Sequence, residues 1–178
     1  MKFFGFFCGT TALFVLVLTT LDFASGASKQ RFVNEKFGFE IELPNGPEWE
    51  FEKEDTHDSI TVGIQREKSF GAITVIAVDM EGEYPVQEFA AFMCEELENE
   101  MRFLKGAEKK KIHRPFGKQS PPEMVFREYT DLNDYTLIGF RVKGKIGYAV
   151  VGIYGRADRP TKNLIRGAMK SFRLTPGD

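Results

Sequence analysis

The chain has few of the residue types that carry chemistry. Its 178 residues include two cysteines, two histidines and one tryptophan. Two imidazoles cannot form a multi-histidine metal site, and they leave few bases to activate a serine or cysteine nucleophile. The sequence also lacks a nucleophile elbow and a glycine-rich phosphate loop. It therefore predicts a protein that is not an enzyme and that holds no cofactor and no metal.

An excess of one charge is lacking as well. The chain has 24 basic and 26 acidic residues, which gives a formal net charge of −2. A dedicated nucleic-acid binder needs a basic excess to contact phosphates. The composition therefore predicts no nucleic-acid partner.

One long hydrophobic run is present, at the N-terminus. Lys2 precedes an apolar run at residues 3–21, and the small residues 24–27 follow it. This order is typical of an export signal, whose peptidase needs small side chains before the cut. We predict a signal peptide at residues 1–26 and one mature domain at 27–178, periplasmic or secreted.

Two points about this segment stay open in the sequence. Cleavage after Gly26 and cleavage after Ala27 both satisfy the small-residue rule. The run is also long enough to span a bilayer, so retention as a membrane anchor is the alternative.

With Cys8 removed, Cys94 is the only thiol of the mature chain. The core must then stabilise the fold without an internal disulfide, and we expect Cys94 on the buried flank of a helix rather than in a reactive role.

The hydrophobic periodicity predicts an α+β fold. Period-two alternation and turn residues predict strands at 31–33, 37–43, 49–51, 60–64, 73–78, 124–130, 135–143 and 146–154. Three- and four-residue steps predict a long amphipathic helix from Pro85 to Leu104, ending at Lys105 and Gly106. A final helix is expected to begin near residues 158–160. Its apolar stripe would comprise Leu164, Ile165, Ala168, Met169 and Phe172.

Short motifs at both ends of the mature chain resemble the PsbP-like superfamily, which includes the Mog and DcrB proteins. The motif residues are Phe37, Gly38, Phe39, Ile41, Leu43, Pro44, Gly46 and Trp49, then Ala168, Met169, Ser171, Phe172 and Arg173. The resemblance implies an antiparallel sheet of about six or seven strands with helices packed on both faces, an α/β/α sandwich. It also implies a non-enzymatic accessory or binding protein, and it assigns no functional residue. Pro47 and Glu48 separate Gly46 from Trp49, where the superfamily runs glycine directly into tryptophan.

Two oppositely charged segments are the candidate interaction surfaces. The basic segment comprises Lys105, Lys109, Lys110, Lys111, His113, Arg114 and Lys118. The acidic segment comprises Glu48, Glu50, Glu52, Glu54, Asp55 and Asp58. Such opposition can steer a partner or an anionic membrane surface. We take Lys109, Lys110, Lys111, His113 and Arg114 as the candidate binding residues; the alternative is a solvated, charged loop.

Two other groups have simpler interpretations. The oxygen-rich residues around His57 could hold a hard cation, but they lack the glycine of a calcium loop, so we expect a solvated loop. Tyr129, Tyr135, Tyr148 and Tyr154 could line a groove, but sheet packing is the expected role.

These observations lead to one functional expectation and two alternatives. The expectation is an exported, non-catalytic protein that docks on another envelope or extracellular protein. Membrane contact would come only from an uncleaved N-terminal segment or from the basic segment. The alternatives are a carrier of a small apolar ligand or lipid, and a minor enzyme.

Overall fold

The computed structural model describes residues 30–44, 47–66, 71–121 and 123–175. The predicted signal peptide, Gly46 and residues 67–70 lie outside these residues. The described chain forms ten strands: β1 (Gln30–Asn34), β2 (Phe39–Leu43), β3 (Trp49–Asp55), β4 (Ser59–Arg66), β5 (Gly71–Asp79), β6 (Glu108–Ile112), β7 (Val125–Thr130), β8 (Asp134–Lys143), β9 (Ile146–Gly155) and β10 (Arg173–Leu174).

The strands form two antiparallel sheets. Seven strands form the main sheet, in the order β3-β4-β5-β9-β8-β7-β6. The other three form a small sheet in the order β1-β2-β10. A mixed α+β fold with a seven-stranded antiparallel sheet is thus confirmed. The sequence did not predict that the first hairpin would pair with the C-terminal strand in a separate sheet.

Two α-helices lie in the described part of the chain, and both differ from prediction in detail. Helix α1 (Val86–Glu100) ends four residues earlier than expected, because Met101 leaves the helical conformation at φ −97°, ψ 82°. A short 3₁₀ turn follows, and it still buries Leu104. No helix among the described residues is long and apolar enough to cross a membrane.

Helix α2 (Arg159–Ser171) begins where the sequence predicted. The side chain of Asp158 accepts hydrogen bonds from the main-chain N–H of Thr161 (3.0 Å) and from its hydroxyl (2.6 Å). This is N-capping, which satisfies a donor that the first helical turn leaves unpaired. The predicted apolar stripe was wrong at Leu164, which is 44% exposed.

The core consists of two apolar clusters that share the central strands. Tyr148 and Val150 of β9 belong to the cluster that contains the buried side of α2. Ala149 and Val151, the alternate residues of β9, belong to the cluster that contains the buried side of α1. Consecutive side chains of a strand point to opposite faces, so β9 contributes to both clusters.

Glycines let both helices approach the sheet closely. A Cβ placed on Gly147 would lie 2.3 Å from a ring carbon of Phe89 in α1, and one on Gly152 would lie 2.6 Å from the sulfur of Met169 in α2. Real Cβ atoms do not approach other atoms this closely, so a side chain at either position would require Phe89 or Met169 to shift.

A buried tyrosine joins the two sheets. The hydroxyl of Tyr148 donates a hydrogen bond to the main-chain carbonyl of Phe37 (2.6 Å). Burial raises the pKa of Tyr148 to about 12. The hydroxyl therefore stays protonated and able to donate at any physiological pH.

Candidate functional site: a basic groove at the edge of the main sheet

The structure places the centre of the basic segment on an edge strand. Lys109, Lys110 and Lys111 lie in β6, which pairs with β7 on one side and forms one end of the main sheet. These three residues therefore lie in a strand and not in a loop, and all three are exposed. His113 and Arg114 follow in the connection from β6 to β7.

Lys109 has a structural partner. Its ammonium group lies 2.7 Å from a carboxylate oxygen of Glu98 in α1 and 5.4 Å from the ring centre of Tyr129. The hydroxyl of Tyr129 donates to the same carboxylate oxygen (2.7 Å). Burial pushes the pKa of Glu98 upward, but hydrogen bonds from Lys109 and Tyr129 outweigh it, and the pKa lies below its ordinary value. Lys109 thus helps to attach β6 to α1.

This contact continues into the core. Tyr129 is almost fully buried, and its pKa is raised by burial and by the neighbouring Cys94 and Glu98. Cys94 is 1% exposed on the inner side of α1, which confirms the predicted buried position.

Lys110 is also compensated. It lies 3.0 Å from a carboxylate oxygen of Glu108, two residues earlier in the same strand. Across the ladder it is in register with Glu128 of β7. Opposite charges at facing positions stabilise a strand pair, so Lys110 is satisfied within the sheet.

Lys111 faces another cation. It is in register with Arg127 of β7, and neither residue lies within ion-pair distance of a carboxylate in the described part of the chain. Arg127 is only 8% exposed, and its Nη1 donates to the main-chain carbonyl of Phe126 (3.0 Å). Facing like charges destabilise a strand pair, and a buried charge without a counter-charge costs free energy.

These two cations belong to a groove of about 660 Å³ at the end of β6. Gln87, in the first turn of α1, also lines the groove. Its described lining combines basic, apolar and uncharged polar residues and includes no acidic one: Lys111, His113, Arg114 and Arg127; Ile112, Pro121, Met124, Val125 and Phe126; Gln87 and Ser120.

The loop that forms one wall of the groove is held by side chains. The hydroxyl of Ser120 accepts a hydrogen bond from the main-chain N–H of Phe116 (2.8 Å). The ring of Phe116 packs edge-on against Phe126, with ring centres 5.7 Å apart. Arg166 of α2 donates to the main-chain carbonyl of Pro115. The groove is therefore a formed feature of the fold.

The backbone of this loop contains one unusual residue. Arg114 adopts a left-handed conformation at φ +53°. Residues other than glycine seldom occupy this region, and doing so costs of order 1–3 kcal/mol. Such conformations concentrate at functional sites.

The five predicted binding residues therefore divide into two groups. Lys111, His113 and Arg114 line the groove, and no ion pair joins them to a carboxylate among the described residues. Lys109 and Lys110 form ion pairs outside it. Sequence reasoning missed Arg127. One signal for it was available. Arg127 stands two positions after Val125 and two before Tyr129, so strand alternation places this charged residue on the same core-facing side as those two apolar residues.

The acidic segment lies at the other end of the same sheet. Glu50, Glu52, Glu54 and Asp55 belong to β3, the opposite edge strand, whose residues after Trp49 are all exposed. Lys53 and Lys36 both pair with Asp55 (3.3 Å and 3.5 Å). The two edges of the main sheet thus carry opposite charge.

The remaining candidates have structural roles. The side chain of His57 is 98% exposed and contacts Asp58. The described residues contain no group of His, Cys, Asp and Glu side chains able to hold a metal ion. Tyr129, Tyr148 and Tyr154 are buried, and Tyr135 is partly buried with its ring centre 5.9 Å from that of Tyr154, as expected for sheet packing.

Comparison with solved structures shows a PsbP-like fold, in agreement with the sequence resemblance. The solution structure of cyanobacterial PsbP (CyanoP) from Synechocystis sp. PCC 6803 superposes with a TM-score of 0.56 at 14% identity, covering 88% of this chain and 98% of that one. A crystal structure from Bacteroides thetaiotaomicron VPI-5482 gives a TM-score of 0.42 at 11% identity, covering 85% of this chain and 50% of that one. No protein-family model and no curated protein matches the sequence. Identities this low establish the fold alone.

Proposed function

We propose that this chain is an exported, non-catalytic binding protein that docks on another protein of the envelope or extracellular space through the basic groove. The observation that carries the proposal is the cluster of Lys111, His113, Arg114 and Arg127 in one groove without a carboxylate among its described lining residues. Positive charge that the fold leaves uncompensated attracts an acidic partner and orients its approach.

The proposal includes the domain organisation predicted from the sequence. Residues 1–26 would be removed on export, and residues 27–178 would form one PsbP-like domain. We also propose that α1 and α2 cover opposite faces of the main sheet. The division of β9 side chains between the two apolar clusters supports this arrangement.

The packing of the core does not favour a lipid or apolar-ligand carrier. Such a carrier needs an apolar cavity between helix and sheet. At Gly147 and Gly152 the helices approach so closely that even one added carbon would overlap with Phe89 or Met169. The groove at the edge of the sheet is lined by cations as well as apolar residues, which suits an acidic partner better.

Native mass spectrometry of the tagged full-length protein, purified from the envelope fraction of its own host, tests the proposal. We expect the mass of the chain without residues 1–26, accompanied by a bound polypeptide. Lys111→Glu should reduce the captured polypeptide by about tenfold, since losing one charge pair at a desolvated contact costs about 1.4 kcal/mol or more.

Lys145→Glu is the matched control. Lys145 is an exposed residue of the turn between β8 and β9, outside the described lining of the groove, and the substitution changes the net charge equally. Equal capture by the two variants would contradict docking through the groove. A small extra mass in place of a polypeptide would favour the carrier.

A further inference from the structure

We infer that Arg127 is the receptor for a carboxylate side chain presented by an extended acidic segment of the docking partner, laid along the β6 edge. The inference rests on the proposed function, and it adds the chemical group recognised and the residue that binds it.

Arg127 has donors to spare and faces the groove. A guanidinium group carries five N–H donors, and one of them is used in the hydrogen bond to the carbonyl of Phe126. The side chain is more than nine-tenths buried, yet none of its nitrogen atoms is among the fully enclosed, unpartnered atoms of the described residues. Its remaining donors are therefore open to the groove. A carboxylate can accept two parallel hydrogen bonds from such a group.

Lys111 makes the local field more positive. It faces Arg127 across the β6–β7 ladder, and Lys109, two residues earlier, lies on the same side of the strand. Lys109 is already paired with Glu98, so the uncompensated charge is concentrated at Lys111 and Arg127. An incoming carboxylate would supply the missing counter-charge and offset the repulsion between these two cations.

The edge strand gives the partner segment its conformation. In the described residues β6 pairs with β7 alone, so its other side offers main-chain donors and acceptors to an added strand. Ile112 follows Lys111 and points to the opposite side of the strand, where it packs beside Phe126. A segment of alternating acidic and apolar residues would present carboxylates to Lys111 and Arg127 and apolar side chains to Ile112.

The probe for this inference is a fluorescein-labelled hexapeptide of alternating glutamate and valine, titrated with the purified mature protein and followed by fluorescence anisotropy. We expect saturable binding to the wild type, weakened by added salt. Arg127→Gln and Lys111→Gln should each weaken binding by about tenfold or more. Lys110→Gln, which removes a cation that is already paired, should leave the affinity within about twofold of the wild type.

Three results would overturn the inference. The first is that the acidic peptide binds no more tightly than a peptide of alternating lysine and valine, and the second is that all three variants bind it with equal affinity. The third is saturable binding of inorganic phosphate without binding of the peptide. Thermal melting checks that Arg127→Gln folds, and Lys111→Gln carries the test alone if it does not, since Lys111 is exposed.

The test separates this inference from the proposed function. Suppose that the host polypeptide is captured in a way that depends on Lys111, but the acidic peptide does not bind. Docking would then stand, and the role of Arg127 as a carboxylate receptor would be refuted. Peptide binding that depends on Arg127, with no captured polypeptide, would support the groove chemistry and refute docking in the host.

Discussion

Reversing the charge of Lys111 should stabilise this protein. In the folded chain Lys111 faces Arg127 across the ladder, and no carboxylate pairs with either residue in the described part of the chain. Lys111→Glu converts this like-charge pair into an ion pair. The neighbouring Lys110 provides the matched control, because Lys110→Glu loses its contact with Glu108 and faces Glu128.

The magnitude follows from cross-strand pairing energies. Facing opposite charges stabilise a strand pair by roughly 0.2–1 kcal/mol, and facing like charges destabilise it by a similar amount. Replacing one by the other changes the free energy of unfolding by about 1 kcal/mol. Because Lys111 is exposed, solvent screening keeps this change in the free energy of unfolding at about 1 kcal/mol. Lys110→Glu should change stability by about the same amount in the opposite direction.

Urea unfolding followed by tryptophan fluorescence measures both changes. Trp49 is the one tryptophan of the chain, and it packs, partly buried, against the apolar cluster beneath α2. We expect a higher midpoint for Lys111→Glu, a lower one for Lys110→Glu, and unchanged slopes. Both variants carry the same net charge, so a general charge effect would move them together. Equal destabilisation by the two substitutions would refute the like-charge pair of Lys111 and Arg127. The uncompensated positive charge assigned to the groove would be refuted with it.

Three further predictions concern the fold. Gly147→Ala places a methyl group against Phe89 and should cost about 1–3 kcal/mol in thermal unfolding, whereas Gly167→Ala, with open space around it in α2, should be neutral or stabilise by up to about 1 kcal/mol. Tyr148→Phe leaves a buried carbonyl without its donor and should cost about 1–3 kcal/mol in urea unfolding; a loss below about 0.5 kcal/mol would contradict the junction between the sheets. Asp158→Ala should cost about 1 kcal/mol at neutral pH. Hydrogen bonds from the α2 N-terminus lower the pKa of Asp158, so this cost should disappear as the pH falls through that pKa, and a constant cost would count against capping.

The sequence predicted most of the main sheet because its strands bury one or both faces. Strands such as β4 and β5 carry apolar residues at every second position, and turn residues bound them. The end of α1 was not predictable from periodicity, because Leu104 continues the helical spacing although a 3₁₀ turn brings it into the core. Leu164 likewise fits the apolar stripe of α2, but the folded chain leaves it 44% exposed.

The candidate site was predicted only in part. The cluster of cations is visible in the sequence, but β6 has none of the alternation that indicates a strand, and its conformation comes from pairing with β7. The distinction between the paired Lys110 and the unpaired Lys111 depends on register, and so does the position of Lys111 opposite Arg127. Sequence spacing does not specify the register of two strands joined by a long connection.

Site-specific photo-crosslinking in the host shows whether a partner polypeptide lies in the groove. A photoreactive amino acid replaces Gln87, which lines the groove, or Asn99, which is exposed on the same helix about 18 Å further along its axis. We expect a polypeptide adduct from position 87 and none from position 99, with the crosslink mapped to an acidic segment of the partner. Adducts of equal yield from both positions, or none from position 87, would contradict docking through the basic groove.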